Sequence, residues 1–282
     1  MNLRLRGAYT CYPEGKHKVL TMSYDDGNIE DRRLVEIFNK YGIKGTFHLN
    51  SGLESDNLDD PSADHRYLPI SEYKELYKGH EVSCHTYHHP MISRTPMEHI
   101  ADQILEDKKA LEAAVGYPIR GMSYPYGALN DEIVNLLPSL GIKYSRTVWS
   151  TEEFYPENDF LRWKPTCHHD SNLIKLGRKF LDLPYNLNLW MMYVWGHSYE
   201  FRVHDNWDLI EDFCKMMSGQ DDIWYATNIE IVEYMEAAKA LCFTAIGDKV
   251  YNPSATSVWL DINVDGETTL KECKPGIITD LY

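Results

Sequence analysis

Seven short apolar runs recur along the first 240 residues, and most of them are followed by a segment with helix signals. Short apolar runs that alternate with helices favour parallel strands covered on both faces. Seven such units in about this length favour an α/β fold built as a distorted (β/α)7 barrel rather than an open sheet. The predicted strands cover residues 18–24, 44–50, 80–84, 119–125, 143–148, 189–195 and 222–228.

Local signals mark the ends of the helices between these strands. Thr95-Pro96-Met97-Glu98 predicts a capping box with proline at the first helical position, and Gly116 ends that helix. Asn130 opens a shorter helix that stops at Gly141, and Thr227 opens the last one. These signals support the alternation of strands and helices.

The pattern changes after residue 240, where short β-prone runs are separated by Asn-Pro, Asp-Gly and Pro-Gly turns. The runs include residues 250–251, 258–262 and 276–278. We therefore expect residues 1–240 to form the barrel domain and residues 241–282 to form a small antiparallel β appendage at the C-terminal end.

Charge and composition limit the possible partners. A formal net charge of −15 argues against nucleic acid or an anionic membrane surface as partner. No apolar run is long enough to span a bilayer, and residues 1–8 lack the apolar region of a secretory signal. The six cysteines are scattered without a tight framework, which predicts reduced thiols in a cytoplasmic protein.

Acidic and histidine side chains follow two of the predicted strands. Asp25 and Asp26 come at the end of the first strand, and two charges this close persist only beside a cation or a shared proton. His85 and His89 follow the third strand with a spacing of four, which on a helical turn puts both imidazoles on one face. Two histidines and one aspartate with open positions suit Zn²⁺ or another divalent first-row metal.

Two later strand ends carry further candidates. The turn Tyr124-Pro125-Tyr126-Gly127 follows the fourth strand, where a backbone N–H could stabilise an oxyanion. His197 comes after a Trp195-Gly196 corner at the sixth strand and is a candidate general acid.

Other polar and aromatic residues near strand ends have weaker assignments. The loop Cys167-His168-His169-Asp170 has the composition of a metal site, but no second clustered set accompanies it, so we expect it to border the substrate cleft. Trp149, Trp163 and Trp195 are candidate rings for stacking on sugars.

Three motifs resemble those of one family. The stretch TMSYDDG at 21–27 resembles the TFDDG motif of the polysaccharide deacetylases, the NodB-type domain of carbohydrate esterase family 4. GHEVSCHTYHHP at 79–90 resembles their GHEIGNHTxxHP stretch, and YPYG at 124–127 resembles their third motif. The motifs occur in the family's order, each at a strand end, across roughly residues 15–240.

The resemblance implies a role for each matching residue. Asp26, His85 and His89 would hold a metal, commonly zinc in this family, with Co²⁺, Ni²⁺ and Fe²⁺ as alternatives. Asp25 would be the general base and His197 the general acid. The backbone N–H of Tyr126 would stabilise the oxyanion, and Thr86 would support the site by hydrogen bonding.

One expected residue is missing. The family has an arginine just before the Pro-Tyr-Gly that pairs with the catalytic aspartate, and Ser123 and Tyr124 stand there instead. Arg120 lies at the other end of that strand, roughly 13 Å away. We predict Arg146 as the replacement, Arg162 as second choice, and Asp159 as the acid of the fourth motif.

The sequence therefore predicts a metal-dependent deacetylase that acts on an N-acetylated amino sugar or short glycan. An alternative is an amidohydrolase on the same barrel that acts on a non-sugar amide or cyclic imide, which the altered arginine pattern and the absence of a secretion signal favour. A catalytically silent carbohydrate-binding protein is a third possibility. The full set of acids and histidines argues against it, because a binding module needs neither a base nor an acid.

Overall fold

The computed structural model describes residues 5–282 except 54, 56, 57, 61, 62, 64, 186 and 187. Its strands are β1 (Leu5–Cys11), β2 (Lys18–Asp26), β3 (Gly45–Leu49), β4 (Glu81–Cys84), β5 (Gly121–Ser123), β6 (Tyr144–Arg146), β7 (Cys167–His168), β8 (Trp190–His197), β9 (Ile223–Tyr225), β10 (Cys242–Phe243), β11 (Lys249–Tyr251), β12 (Val258–Val264), β13 (Glu267–Cys273) and β14 (Ile278–Asp280). Its α-helices are α1 (Asp31–Tyr41), α2 (Tyr73–Leu76), α3 (Met97–Val115), α4 (Asp131–Leu136), α5 (Leu173–Leu181), α6 (Ser198–Val203), α7 (Trp207–Met217) and α8 (Asn228–Lys239).

The parallel strands form one curled sheet in the order β6-β5-β4-β3-β2-β8-β7, which confirms the predicted distorted (β/α)7 barrel. Strand β9 pairs with the first residues of β2, and β3 pairs with the same strand from Met22 onward, so β9 and β3 share one edge of β2 in succession. All seven predicted strands are present. The two-residue strand β7 is not predicted, because so short a strand leaves no apolar run to detect.

The parallel direction places every carboxyl end at one rim of the barrel, where active sites of such barrels lie. Strands β2, β5, β6, β7 and β8 end in side chains that the sequence singles out, and β4 is followed at once by another. These residues are Asp25, Asp26, His85, Ser123, Arg146, His168 and His197.

Most of the predicted helix signals are present. The Asn130 side chain accepts a hydrogen bond from the Ile133 N–H at the start of α4, and Thr227 forms a reciprocal capping box at the start of α8. Gly116 ends α3 with a left-handed φ of 83°. The capping box at Thr95 is wrong, because its hydroxyl donates to the carbonyl of Met91 in the preceding turn.

The strands after residue 240 lie in two small antiparallel sheets, β1-β12-β13 and β10-β11-β14. Strand β1 is not predicted, and it pairs along β12. Tyr234 of α8 donates to the carbonyl of Cys11, while its hydroxyl accepts the Trp259 N–H at 3.0 Å. This tyrosine thus ties the last helix to both strands. In the described part of the chain, no helix is long and apolar enough to cross a bilayer.

Candidate active site

The three predicted metal ligands lie together at the rim of the barrel. The Nε2 atoms of His85 and His89 are 3.6 and 3.8 Å from Oδ1 of Asp26. One ligand atom from each residue lies within 4.8 Å of the others. Two chain segments 59 residues apart, as counted from Asp26 to His85, therefore meet at one point.

The histidines do not share a helical turn, so that expectation is wrong. Residues 85–89 form a loop after β4, in which Thr86 and His89 are left-handed with φ of 67° and 55°. Non-glycine residues adopt this conformation only where the surroundings hold them. The Asn50 amide donates to the carbonyl of Thr86 at 2.7 Å and helps to hold the loop. Two left-handed residues thus bring the imidazoles together.

The donors in this cluster fit a divalent metal. Nδ1 of His85 lies 2.9 Å from the carbonyl of Ser123, so its proton sits on Nδ1 and the Nε2 lone pair faces Asp26. Burial, and then the neighbouring His85, lower the pKa of His89 to about 4, which leaves that imidazole neutral and able to ligate. Oδ1 of Asp26 is buried and has no hydrogen-bond partner among the described residues. A buried carboxylate oxygen without a donor is stable only beside a cation.

Asp25 lies beside the cluster and is held by an arginine. Nη2 of Arg146 contacts its Oδ2, and the hydroxyl of Ser123 donates to its Oδ1 at 3.1 Å. Burial alone would raise the pKa of this carboxyl, but the Arg146 guanidinium and then the His85 imidazole hold the pKa well below its ordinary value. Asp25 is therefore ionised at neutral pH.

The arginine beside Asp25 is Arg146, the last residue of β6. Arg146 is fully buried, donates to the carbonyl of Thr147 at 3.1 Å and stacks 4.4 Å from the Trp195 ring. Arg162, the second choice, instead pairs with Asp159 and Asp131 at the surface. Arg120 also points away from the site and pairs with Glu233.

His197 is held by a glutamate that the sequence reasoning missed. Glu200 accepts the backbone N–H of His197 at 3.0 Å, and its Oε1 lies 3.3 Å from Nδ1 of the same histidine. Burial would lower the pKa of His197, but Glu200, with Asp26 and Asp25, raises it to about 9. The imidazole is therefore protonated at neutral pH. The sequence carries a signal for this contact, because a glutamate three residues after the N-cap residue of a helix can accept the backbone N–H of that residue.

His48, a second residue beside the cluster, was not among the candidates from the sequence. It pairs with Asp25 across β2 and β3 and is fully buried, and both ring nitrogens are without a hydrogen-bond partner in the described part of the chain. Burial lowers its pKa to about 3, so it is neutral. A histidine inside an apolar strand next to an acidic strand end was the available signal.

The cluster opens into a cavity of about 720 Å³. Tyr126 lies at its mouth, 61% exposed, and its ring centroid is 4.5 Å from that of His89. The lining residues are Asp25, Asp26, His65, Tyr67, His85, His89, Tyr124, Tyr126, Val148, Trp195, His197 and Tyr199.

Several weaker assignments do not fit the structure. Trp163 is fully buried against Tyr193, with ring centroids 4.8 Å apart, so it offers no face to a sugar. The Thr86 hydroxyl is buried without a hydrogen-bond partner among the described residues, so the supporting bond expected from it is not formed. Asp159 pairs with Arg162 away from the cavity and is not the acid sought for the fourth motif.

Of the remaining candidates, only one lines the cavity. Trp195 does so, whereas His168 packs against the edge of Trp195, with ring centroids 4.6 Å apart, and is not among the lining residues. Trp149 is half-exposed outside the cavity.

Fold and site together define a (β/α) barrel with a metal-type cluster of one aspartate and two histidines at its carboxyl rim, and with a second aspartate and a third histidine at the same cavity. The family model described as Polysaccharide deacetylase matches residues 13–145. This segment, slightly less than half of the chain, contains the predicted base and ligands, so the chain is similar to that family over these residues. Arg146 and His197 lie beyond the matched residues.

Curated relatives match a similar share of the chain. The peptidoglycan-N-acetylglucosamine deacetylase of Listeria monocytogenes is 27% identical over 124 residues, which is 43% of this chain and 24% of that protein. The peptidoglycan-N-acetylmuramic acid deacetylase of Bacillus subtilis is 27% identical over 119 residues, 41% of this chain and 23% of that protein. The chain thus spans about a quarter of the length of these relatives.

A solved structure supports the fold over a longer stretch. The Xyl-CE4 domain of a multidomain xylanase from the hindgut metagenome of Trinervitermes trinervoides aligns with a TM-score of 0.54 and 16% identity. The alignment covers 78% of this chain and 92% of that domain.

Proposed function

We propose that this protein is a divalent-metal-dependent hydrolase that removes acetyl groups from an N-acetylated amino sugar or short glycan. One observation carries the proposal: Asp26, His85 and His89 converge on one point, with an ionised Asp25 and a protonated His197 at the same cavity. A metal centre flanked by a base and an acid suits amide hydrolysis, which needs a nucleophilic water and a protonated leaving group.

Asp26, His85 and His89 would hold the metal, which when bound lowers the pKa of water and polarises a carbonyl oxygen. Asp25 takes a proton from the water as it attacks the acetyl carbonyl. Arg146 and Ser123 bind the two oxygens of Asp25 and fix its orientation during this transfer.

His197 completes the reaction from another part of the cavity. Because its Nδ1 is directed to Glu200, Nε2 is the nitrogen left for the substrate. His197 donates its proton to the amine nitrogen as the carbon–nitrogen bond breaks, which releases acetate and a free amine. The backbone N–H of Tyr126, at the cavity mouth, is our candidate donor to the developing oxyanion.

The cavity favours a small acetylated carbohydrate. Its volume of about 720 Å³ lies within the range of small-ligand sites, roughly 300–1,000 Å³. Tyr67, Tyr126, Trp195 and Tyr199 give it flat rings with polar edges, which suit the apolar faces and hydroxyls of a sugar. The six cysteines are all free, and we therefore place the reaction in a reducing, cytoplasmic compartment.

The test couples metal analysis to acetate release. The protein is loaded with Zn²⁺ and assayed with acetylated mono- and oligosaccharides beside cyclic imides, ureides and simple acetamides. We expect metal-dependent acetate release from an N-acetylated amino sugar. Turnover of the non-sugar amides alone would favour the amidohydrolase alternative, and tight sugar binding without turnover would favour a silent binding protein.

The metal site predicts that His89→Ala loses the ion held at Asp26 and most of the hydrolysis. Removing one of three protein ligands leaves too few donors to retain the ion. Metal content by mass spectrometry and acetate release are measured on the same sample.

His88→Ala is the matched control for that substitution. His88 is the adjacent residue, and it bonds Gln103 rather than the cluster, so its loss is expected to leave metal content unchanged. A His89→Ala protein with as many bound ions as the wild type would contradict the ligand assignment.

The Glu200 contact predicts a change in pH dependence. The pKa of His197 is raised to about 9, so the acid form persists through neutral pH, and activity is lost as pH rises through that value. Glu200→Gln removes the charge that favours imidazolium, so the basic limb of kcat/KM is expected to move to lower pH by about one unit or more. The acid limb serves as the internal control. A basic limb at the wild-type pH would exclude Glu200 as the cause.

A further inference from the structure

A second cluster of possible ligands lies behind Trp195, away from the lining of the cavity. It joins the end of β7 to the first turn of α6, and its members are His168, His169, Asp170 and Glu200. One ligand atom from each residue lies within 4.8 Å of the others. Glu200 also contacts the proposed active site, because its Oε1 lies 3.3 Å from Nδ1 of His197.

The spacing of three atoms in this cluster fits a single ion. Nε2 of His169 is 3.4 Å from Oδ1 of Asp170 and 3.4 Å from Oε2 of Glu200. Tetrahedral Zn²⁺ has bonds of about 2.0–2.1 Å to nitrogen and oxygen, which puts neighbouring ligand atoms about 3.3–3.4 Å apart. The separations match the edges of such a tetrahedron and exceed the length of a good hydrogen bond.

His169 points to a missing partner. Its side chain is fully buried, and neither ring nitrogen has a hydrogen-bond partner among the described residues. The ring is stacked between Phe201 and Tyr24, with centroids 4.2 and 5.7 Å away. A Cβ on Gly196 would lie 2.0 Å from its Nδ1, so only glycine leaves room for the ring. A fixed, buried imidazole aimed at two carboxylates is stable when its lone pair meets a cation.

His168 holds this cluster in place without being a ligand. The backbone N–H of Asp170 donates to its Nδ1 at 3.2 Å, so the proton of the neutral ring lies on Nε2. That proton faces Oε2 of Glu200 at 3.2 Å. On the far side, Nδ1 of His204 lies 3.1 Å from Oδ2 of Asp170. Oδ1 of Asp170 is thereby left toward His169, while Oε2 of Glu200 faces both His168 and His169 and also accepts the His197 N–H at 3.0 Å.

We propose that His169, Asp170 and Glu200 form a second divalent-cation site, separate from the one at Asp26. One imidazole and two carboxylates, with positions left for water, suit Zn²⁺ or another first-row divalent ion. The inference rests on the geometry of this cluster alone and does not depend on the proposed function.

The experiment counts ions on the full chain. Protein stripped with a chelator is dialysed against excess Zn²⁺, then buffer, and bound zinc is measured by mass spectrometry. We expect two ions per chain for the wild type, one for Asp170→Asn, one for His89→Ala and none for the double variant. Glu153→Gln, which removes an exposed carboxylate outside both clusters, is the control and keeps two.

The outcomes separate this inference from the proposed function. A wild type with a single ion that His89→Ala removes would overturn the second site, whether or not the variants fold. Two ions in Asp170→Asn would also overturn it. A single ion that Asp170→Asn removes and His89→Ala retains would support the second site and count against the proposed function. His168→Gln is expected to keep two ions, and loss of one would overturn the proposed ligand set.

Discussion

Asp25→Asn is expected to lower kcat by about 10³-fold while metal content stays at the wild-type level, since general base catalysis contributes roughly 10²–10⁴-fold. The amide has nearly the shape of the carboxylate but cannot accept a proton at neutral pH. The ligand atoms belong to Asp26, His85 and His89, so they are untouched. Steady-state acetate release and metal analysis on one preparation give both readouts.

The adjacent aspartate provides the matched control. Asp26→Asn makes the same chemical change one residue along and is expected to lose the ion held with His85 and His89. Asp25→Asn also leaves Arg146 buried without its partner, which costs about 3–5 kcal/mol of stability. A denaturant unfolding curve is therefore measured on the same preparation, to show that the variant is folded under the assay conditions. Retained turnover in Asp25→Asn would remove this residue as the base.

The site was predictable because parallel strands order it in space. Asp26 ends β2 and His85 follows β4, and strands that all run the same way bring their ends to one rim. The same rule made Arg146 a candidate, since β6 lies beside β5, where the usual arginine is missing. Asp25, Asp26, His85 and Arg146 could therefore be named from strand ends.

The backbone path between those residues was not predictable. His89 reaches the cluster through a loop with left-handed residues, and a spacing of four in the sequence does not distinguish this loop from a helical turn. Such conformations are set by tertiary contacts like that of Asn50 with Thr86, not by local preference.

Long-range pairing accounts for the other elements that were missed. Strand β1 is stable because it pairs with β12, whose residues lie about 250 positions later, and nothing near residues 5–11 shows this partner. Strand β7 has only two residues and is held by β8. Glu200 was overlooked because its importance comes from three histidines that converge on it from two chain segments.

Arg146→Ala is expected to move the acid limb of the pH profile upward and to destabilise the fold. Arg146 is the main group that holds the pKa of Asp25 down against burial. Without it, burial raises the pKa of Asp25, so the base is protonated at a higher pH. Breaking a buried ion pair costs about 3–5 kcal/mol in the free energy of unfolding. The pH profile of kcat and denaturant unfolding measure the two effects.

The contribution of the Asp25–Arg146 pair to the free energy of unfolding depends on pH, and its sign follows from the direction of the pKa shift of Asp25. In the wild type the folded-state pKa of Asp25 is depressed, so its contribution is present above the ordinary value near 3.8 and is lost as pH falls through the folded-state pKa. The stability difference between the wild type and Arg146→Ala is therefore expected to shrink in strong acid.

Arg162→Ala is the matched control, because it removes an arginine whose ion pairs are at the surface. The expected loss is at most about 1 kcal/mol, with no movement of the acid limb. An Arg146→Ala protein with full activity and an unchanged acid limb would show that Asp25 does not need its arginine. The two substitutions together therefore decide whether the buried pair, rather than arginine content in general, keeps the base ionised.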